Sequence, residues 1–529
     1  MVNVLKNNKA VLFLVAITVF VAYLAFLPAP FYFDDFYNIV YNPDLVSPFK
    51  ALTSKAGGIR PLAYLWFYFD KVIFGLNPVL FRLENIVLHV ANFFIVFLVL
   101  RKLTADFGDE NSFLISLFVS TLWVLNPVNS QSVGYIVQRM NEVSTTFVLL
   151  GFLFYLNFLE KREKIYVFLF ALSFFLSLGF KETGILLIPL CLLHYTFFVD
   201  FKKGLKIFAV FLLVGVVLVL FFPPFNKILP LDYLLGKVAK DKGFTFYERF
   251  LTAFKVVVDY IIVLLIPLYK NVHLYYSFEL VKNPLSLGFL VPFFVLCGIM
   301  FFGIFIYKKD RLVSFSIFAF FMLLFPESFI LPLDIAYQHR MYLPSIFFFL
   351  FVVLLIFKLA EKKKAFFVLT AISVFFLINL FARGIVFSNP SFFYENELRH
   401  APKNCKVYIN ASKYFLENGE LEKAEKILQK GLKLFPNDSK LAMNFGLYLA
   451  KIGEFDKAIL WYKKALKRDN PFLQEVYWSL AVLFTQKGDV NNARHYLDLL
   501  EKAGFNLEKI KMLEEKIKKN YSSGNAVSE

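Results

Sequence analysis

Two adjacent carboxylates, Asp34 and Asp35, stand in the segment PFYFDDFYNIVYNPDL, directly after the first apolar run of the chain. A carboxylate at a membrane surface can act as a general base, and two together can hold a divalent metal. Either reading competes with a solvated loop or a helix amino-terminal cap, because short motifs often match by chance. The aromatic residues around the pair favour a sugar-binding cleft, and they are Phe31, Tyr32, Phe33, Phe36 and Tyr37.

Further polar residues stand in other segments between apolar runs, in NPVNSQSVGYIVQRMNE (126–142), KET (181–183) and YQHRMYLPS (337–345). Several cations that converge on one site are what a phosphate or diphosphate leaving group needs. A lone arginine near a helix end would more often extend to the membrane interface. The candidate residues are Arg60, Arg139, Lys181, His339 and Arg340 as cations, with Glu142 and Glu182 as further site candidates.

The composition places these residues in a membrane protein. Hydrophobic residues make up 58% of the 529 residues, charged residues only 18%, and phenylalanine occurs 71 times. A soluble domain usually carries about 25% charged residues. The net charge of +17 is therefore read first as the topology signal of cytoplasmic loops, and nucleic-acid binding is not expected. The three cysteines, Cys191, Cys297 and Cys405, have no metal-ligand spacing and predict neither a disulfide framework nor a zinc site.

Eleven apolar runs are long enough to be candidate membrane spans. The first run resembles a signal peptide, but its length and the runs that follow favour an uncleaved signal anchor. The predicted spans are 11–28, 85–100, 112–125, 144–159, 166–180, 184–199, 205–222, 285–306, 312–330, 343–358 and 365–381. Asn85, His89 and Asn92 form a polar stripe in the second span, for which we favour hydrogen bonds between helices.

Charge predicts the orientation of these spans. Short loops rich in Lys and Arg, such as 161–164, 308–311 and 362–364, are typical of the cytoplasmic side. The amino terminus is then cytoplasmic and the carboxyl terminus extracytoplasmic. The segment 251–268 could be a twelfth span, but it carries Lys255 and Asp259 and is predicted to be interfacial or re-entrant. The outer loops are 29–84, 126–143, 180–183, 223–284 and 326–342.

A repeat of about 34 residues follows the last span. The segments GELEKA, GEFDKA and GDVNNA recur in phase and resemble the tetratricopeptide repeat. Such repeats either present a peptide-binding groove or only space and stabilise the protein. The predicted organisation is a membrane domain (1–383), a linker (384–404), three repeats (405–438, 439–472 and 473–507) with a capping helix to 519, and a disordered tail (520–529).

Six segments occur in a characteristic order: FYFDDFYNIVYNPDL, RPLAYLWF, GLNPVLFRLENIVLH, LNPVNSQSVGYIVQRMNEVSTTFVLLGFLFY, GFKETGILLIPL and YQHRMYLPS. With tetratricopeptide repeats after the last span, this order resembles the transmembrane and tetratricopeptide-repeat O-mannosyltransferases and their prokaryotic relatives. More distantly, the layout resembles the protein O-mannosyltransferases of the GT-C fold class.

This resemblance implies an all-α membrane bundle that transfers a sugar, mannose or a similar hexose, from a polyprenyl-phosphate donor. Transfer would go with inversion to a hydroxyl acceptor, in particular protein Ser or Thr, on the extracytoplasmic side. Asp34 or Asp35 would take the proton of the acceptor, and a divalent metal at this pair stays open. The donor phosphate would be held by Arg60, Arg139, Lys181, His339 and Arg340.

Two other functions fit parts of the sequence. A membrane scaffold would use the repeats to recruit envelope proteins, but eleven spans are more than an anchor needs. A flippase for lipid-linked sugars would place polar residues along a path across the bilayer, whereas the polar clusters here are predicted on one face. The glycosyltransferase accounts for both features.

Overall fold

The computed structural model describes residues 8–54, 60–221, 229–237, 243–466, 470, 472–504 and 506–525. The described residues form helices and no strand, which confirms the predicted all-α fold. The chain divides into two compact units, Met1–Asn396 and Glu397–Glu529.

The first unit contains the apolar helices and the candidate functional residues. Its longer helices are α1 (Asn8–Leu24), α2 (Pro61–Phe74), α3 (Pro78–Leu103), α4 (Asp109–Leu125), α5 (Arg139–Lys161), α6 (Lys164–Phe180), α7 (Leu187–Phe198), α8 (Phe201–Phe221), α9 (Phe246–Leu265), α10 (Leu287–Ile306), α11 (Arg311–Phe325), α12 (Pro344–Leu359), α13 (Lys362–Ser388) and α14 (Pro390–His400). α14 crosses the boundary between the two units.

Short helical turns connect these helices. The short α-helical turns are Pro48–Leu52, Ser130–Val133 and Leu231–Leu234, and the 3₁₀ turns are Ala105–Phe107, Pro127–Asn129, Ile136–Gln138, Glu182–Leu186, Tyr269–Asn271 and Gln338–Met341. Two π-helical turns, Phe36–Val40 and Pro326–Ile330, lie in segments that carry candidate residues. π-helical turns are rare and are frequent at functional sites.

Local sequence explains where several helices begin. The Asn77 side chain accepts a hydrogen bond from the Val79 amide at 3.0 Å, and Pro78 follows at the first position of α3. Both residues suit a helix start. The asparagine side chain satisfies an amide that has no intrahelical partner, and proline has no backbone N–H group that would need one. α9 begins with a capping box, in which Thr245 and Glu248 satisfy each other's backbone amides.

Several helices have the length and hydropathy of membrane spans. Within the described part of the chain, five qualify: Pro78–Leu103, Ile136–Lys161, Leu287–Ile306, Arg311–Ile330 and Lys362–Ser388. A sixth span results if Asp109–Leu125 and Pro127–Val133, bent by 50°, count as one. Shorter apolar helices are Lys9–Leu24, Lys164–Phe180, Glu182–Phe198 and Pro344–Leu359. A helix overlaps each of the eleven predicted spans, but the span count and the orientation stay predictions.

Burial indicates which helices face lipid. In α10 only 11% of the most apolar window is buried, so the exposed apolar side chains of this helix need a lipid environment. α13 approaches the end of α1 closely, since a Cβ atom on Gly384 would lie 2.7 Å from the Cβ atom of Ala25, the residue after α1. The helix α9, which overlaps the segment 251–268, does not qualify as a span, and its interfacial placement stays a prediction.

The predicted linker 384–404 is mostly helical, since α13 runs to Ser388 and α14 to His400. Its apolar residues explain the difference. Phe387 and Phe393 are buried and pack against the ring of Tyr32, with ring centroids 5.1 and 4.6 Å away. This segment is therefore packed against the start of the predicted first outer loop instead of acting as a free connection.

The second unit consists of paired helices. The pairs are α15 (Cys405–Glu417) with α16 (Leu421–Leu434), α17 (Ser439–Lys451) with α18 (Phe455–Lys464), and α19 (Leu473–Gln486) with α20 (Val490–Lys502), followed by α21 (Leu507–Asn525). Gly419 turns the chain between α15 and α16 with a φ of +77°, which glycine adopts at little cost. The predicted tail 520–529 differs in that α21 reaches Asn525, and 526–529 lie outside the described residues.

Candidate active site

The acidic pair lies at a strained point of the first outer loop. Phe33, directly before the pair, has a φ of +51°, which costs a residue with a side chain about 1–3 kcal/mol. The π-helical turn Phe36–Val40 follows directly after the pair. Such a conformation persists only where the surroundings hold it, so the loop fixes the two carboxylates in different environments.

Asp35 is fully buried, and both of its carboxylate oxygens accept backbone hydrogen bonds. The Tyr32 amide donates to Oδ2 at 3.0 Å and the Val137 amide donates to Oδ1 at 2.8 Å. Burial raises the pKa of Asp35 to about 7, and the two backbone hydrogen bonds and Arg82 oppose this rise. Because Val137 belongs to a different outer loop, Asp35 joins the first outer loop to the segment before α5.

Asp34 has an exposed side chain. Its backbone amide donates a 2.8 Å hydrogen bond to the hydroxyl of Tyr135, which is itself buried. Burial raises the pKa values of Tyr64, Tyr135 and Tyr337, and the negative charge of Asp34 adds to each of these rises. Asp34 therefore lies within electrostatic range of three tyrosines that come from separate segments of the chain.

Four of the five predicted phosphate-binding residues come together. We call Arg60, Lys181, His339 and Arg340 the open cation cluster. Burial lowers the pKa of the His339 imidazole well below its usual value, and the charges of Lys181, Arg340 and Arg60 lower it further. His339 is therefore neutral at physiological pH, and the other three residues provide the positive charge.

Two residues of the open cation cluster also bind carboxylates. Arg60 donates to both oxygens of Glu182, at 2.9 and 2.6 Å. The Lys181 ammonium lies 3.1 Å from Asn141 Oδ1 and 3.2 Å from Glu327 Oε1. Tyr64 connects this cluster to the acidic pair, since Arg60, Glu182 and Asp34 all act on its pKa.

Arg139 lies apart from the open cation cluster. Its guanidinium binds the carboxylate of Asp70, lies 2.7 Å from Glu84 Oε2, and donates to Asn85 Oδ1 at 2.7 Å. The side chain is only 1% exposed. We call Arg139, Asp70 and Glu84 the closed ion cluster, because each nitrogen of the Arg139 guanidinium has a partner inside the protein.

The two other candidate acids also have different surroundings. Glu182 is the partner of Arg60 in the open cation cluster. Glu142 is fully buried in the bundle, where the Tyr342 hydroxyl lies 3.4 Å from its Oε1 atom. The same hydroxyl lies 2.7 Å from His89 Nδ1, so Glu142 belongs to a network of hydrogen bonds between helices.

Several residues of this region were not predicted from the sequence. One of them is Arg82, which donates to the carbonyls of Ala29, Pro30 and Gly134 at 2.6, 2.9 and 2.8 Å. The others are Tyr135, Arg249 and Tyr337. A charged residue inside an apolar helix is costly and therefore informative, and this signal could have identified Arg82 in α3. No comparable signal marks the two tyrosines among 27 in the chain.

Ligands for a metal are few at the acidic pair. Within the described residues, no three His, Cys, Asp or Glu side chains gather in a way that could hold an ion. Asp35 already uses both oxygens for backbone amides. A divalent ion at Asp34 and Asp35 stays a prediction, and we derive no chemical step through it.

Comparisons with known proteins agree with the motifs and the repeats. The tetratricopeptide repeat family matches residues 406–438 and 439–472. Protein O-mannosyl-transferase Tmtc1 of Drosophila melanogaster is 29% identical over 186 residues, which cover 32% of this chain and 21% of that protein. Human protein O-mannosyl-transferase TMTC1 is 28% identical over 202 residues (34% and 22%), and human TMTC3 is 27% identical over 184 residues (32% and 19%).

The matched region spans about a fifth of the length of these curated relatives. No solved structure matches the chain. The matches confirm the predicted resemblance to the transmembrane and tetratricopeptide-repeat O-mannosyltransferases. The roles of the individual site residues stay predictions.

Proposed function

We propose that this protein is a membrane glycosyltransferase that moves mannose or a similar hexose from a polyprenyl-phosphate donor to a hydroxyl of an acceptor protein. Transfer takes place on the extracytoplasmic side and inverts the configuration at the sugar. One observation carries the proposal: the exposed carboxylate of Asp34 lies within electrostatic range of tyrosines that also face Arg60 and Arg340. The names of the matched relatives, protein O-mannosyl-transferases, support the transfer of mannose to protein.

Asp34 is the proposed general base. A Ser or Thr hydroxyl is a weak nucleophile until a base takes its proton during attack. The hydroxyl oxygen then forms a bond to the anomeric carbon while the bond from that carbon to the phosphate oxygen breaks. Asp34 accepts the proton, and the lipid phosphate leaves with its electron pair.

The open cation cluster is the proposed site of the leaving phosphate. Negative charge grows on the phosphate as its bond to the sugar breaks, and fixed cations stabilise that charge as it develops. Arg60, Lys181 and Arg340 supply positive charge, while neutral His339 supplies none. We assign Arg139 to the framework in this proposal, because its partners lie within the protein.

Asp35 is the proposed positioning residue of the pair. Its two hydrogen bonds hold the backbone at Tyr32 and Val137, and these contacts fix Phe33 in its left-handed conformation. The two aspartates therefore have different proposed roles: Asp34 accepts the proton, and Asp35 holds the loop that positions Asp34.

The test is sugar transfer by full-length protein in proteoliposomes supplied with labelled polyprenyl-phosphate sugars. Asp34→Asn removes the proton acceptor and should lower the transfer rate by about 100- to 10,000-fold, with donor affinity nearly unchanged. Asp44→Asn is a matched control in the same loop, where Asp44 accepts a hydrogen bond from Ser54, and should transfer normally. A near wild-type rate for Asp34→Asn would refute the proposed base, whereas absence of transfer by the wild-type protein would leave the scaffold or flippase functions.

The repeats are the proposed binding site for the acceptor polypeptide. Removal of residues 400–529 should then spare binding of the lipid donor and reduce transfer to protein, because only the acceptor loses its site. Binding and transfer are measured on the same truncated preparation. If the truncated protein glycosylates its acceptor at the full rate, the repeats serve only to stabilise the chain.

A further inference from the structure

Two buried arginines meet on one short segment beside the open cation cluster. Arg249, in α9, is 1% exposed, and Arg340 is 4% exposed. Arg340 donates to the carbonyl of Asp334 at 2.6 Å, and Arg249 Nη1 lies 3.5 Å from the same carbonyl oxygen. Two guanidinium groups therefore converge on a single backbone atom.

The charge of Arg249 is offset only in part by the Asp334 carboxylate, which acts on it without forming an ion pair. The hydrogen bonds of both arginines go to backbone carbonyls: Arg249 donates to Leu333 and Glu327, and Arg340 donates to Ile335 and Asp334. The described residues include no carboxylate ion-paired with either guanidinium, and the Nε–H group of each is buried without a hydrogen-bond partner. A buried charge without a paired counter-charge is costly, so this arrangement favours an anion nearby.

Electrostatics agree with this geometry. Burial and the positive charge of Arg340 together lower the pKa of Arg249 to about 10, and the negative charge of Asp334 opposes this change. The same segment carries Glu327, which faces Lys181, and precedes His339. The two arginines therefore adjoin the open cation cluster and add positive potential there, an effect that a low dielectric environment strengthens.

We propose that Arg249 acts with Arg340 as a paired-guanidinium seat that attracts the phosphate group of a lipid phosphate into the open cation cluster. Arg249 is a positioning residue: it holds the 327–335 segment through its carbonyls and supplies a fixed charge. This inference rests on the proposed function for the identity of the lipid, but the phosphate chemistry stands without it.

The experiment compares a charged with a neutral ligand on full-length protein in phosphatidylcholine nanodiscs. The probes are a short-chain prenyl phosphate and the prenyl alcohol of the same chain. Arg249→Gln keeps a polar side chain and removes the charge, so affinity for the prenyl phosphate should fall by about tenfold or more. Affinity for the alcohol should stay within about twofold, because the alcohol carries no charge.

Two further variants separate charge from structure. Lys282→Gln is the matched control, because Lys282 is a solvent-exposed cation that faces Glu248, next to Arg249 in the chain, and surface charges are screened. It should leave both affinities unchanged. Arg249→Lys keeps the charge and loses the planar fork, so it should keep phosphate affinity even where thermal stability falls. This variant keeps the test decisive if Arg249→Gln does not fold.

The outcomes separate the possible sources of the phosphate. Inorganic phosphate and nanodiscs that contain phosphatidylglycerol are tested beside the prenyl phosphate. Competition by phosphatidylglycerol at equal concentration would assign the seat to bilayer lipids and overturn the assignment to the donor. Loss of prenyl phosphate and prenyl alcohol binding in parallel, or a tenfold loss of phosphate affinity in Arg249→Lys, would overturn the charge role.

The result is also separable from the proposed function. If no polyprenyl-phosphate sugar is consumed by the wild-type protein, but prenyl phosphate binding depends on Arg249, the seat stands and the transferase does not. If sugar is transferred and Arg249→Gln binds prenyl phosphate as tightly as wild type, the seat alone is refuted.

Discussion

The closed ion cluster and the open cation cluster use the same residue types and differ in how their charges are balanced. In the closed cluster, one guanidinium, Arg139, binds two carboxylates, Asp70 and Glu84. In the open cluster, Arg60 and Lys181 each face one carboxylate, while Arg340 donates only to backbone carbonyls. A cation that is paired with carboxylates favours a framework role, and a cation without a carboxylate partner favours the binding of an anion.

The largest expected effect tests the framework role. Arg139→Ala leaves Asp70 buried without its cation, and breaking a buried pair costs about 3–5 kcal/mol. We expect a large loss of thermal stability in detergent, with no specific loss of donor affinity in the protein that remains folded. Asp70→Asn should cost less, because Glu84 still lies 2.7 Å from Arg139. A stable Arg139→Ala protein that no longer binds donor would contradict the framework role and would assign Arg139 to the donor site.

An intermediate effect tests the open cluster. Lys181→Gln removes one cation, and a hydrogen bond to a charged group contributes about 1.5–3 kcal/mol. We therefore expect donor affinity to fall by about 10- to 100-fold, measured by titration with a prenyl phosphate. Part of any stability loss comes from Glu327, whose carboxylate loses its partner.

The double variant Lys181→Gln with Glu327→Gln separates these contributions. It removes the unpaired carboxylate and should recover stability, but it should not recover donor affinity. Recovery of both properties would mean that Lys181 serves only to neutralise Glu327, and the open cluster would then resemble the closed one.

The smallest expected effect concerns pH. The pKa of His339 lies well below its usual value because of burial and three neighbouring cations, so its neutral form persists from pH 8 down to pH 6. A histidine with a lowered pKa gains charge only on stronger acidification. His339→Gln and wild type should therefore show the same dependence of donor affinity on pH in this interval. If acidification raised the donor affinity of the wild type more than that of His339→Gln, His339 would belong to the charged residues of the cluster.

The sequence predicted the helices and the repeats because hydropathy and the 34-residue period are local properties of the chain. It also assigned Arg60, Lys181, His339 and Arg340 to segments on one membrane face, and the structure brings these four residues within electrostatic range of one another. It could not separate Arg139 from them. That separation depends on Asp70 and Glu84, whose positions follow from the packing of α2 and α3 and not from any local pattern.

The same limit applies to the acidic pair. Asp34 and Asp35 are adjacent and identical in type, so no sequence pattern distinguishes them. Their difference lies in their surroundings: the Asp34 side chain is exposed, whereas Asp35 is buried and accepts a hydrogen bond from the Val137 amide. Arg249 was missed for a related reason. Its proposed role depends on the Asp334 carbonyl, to which Arg340 also donates, and Asp334 is 85 residues away from Arg249 along the chain.

The Arg82 contacts have a consequence for the biosynthesis of the chain. α3 enters the bilayer with a guanidinium whose acceptors at Ala29 and Pro30 have already been synthesised. The last acceptor, the Gly134 carbonyl, follows 52 residues later, after α4. A buried guanidinium is unfavourable until its N–H groups have acceptors. We therefore expect the insertion machinery to retain α1, α3 and α4 together until Gly134 has left the ribosome, so that these helices enter the lipid as one group.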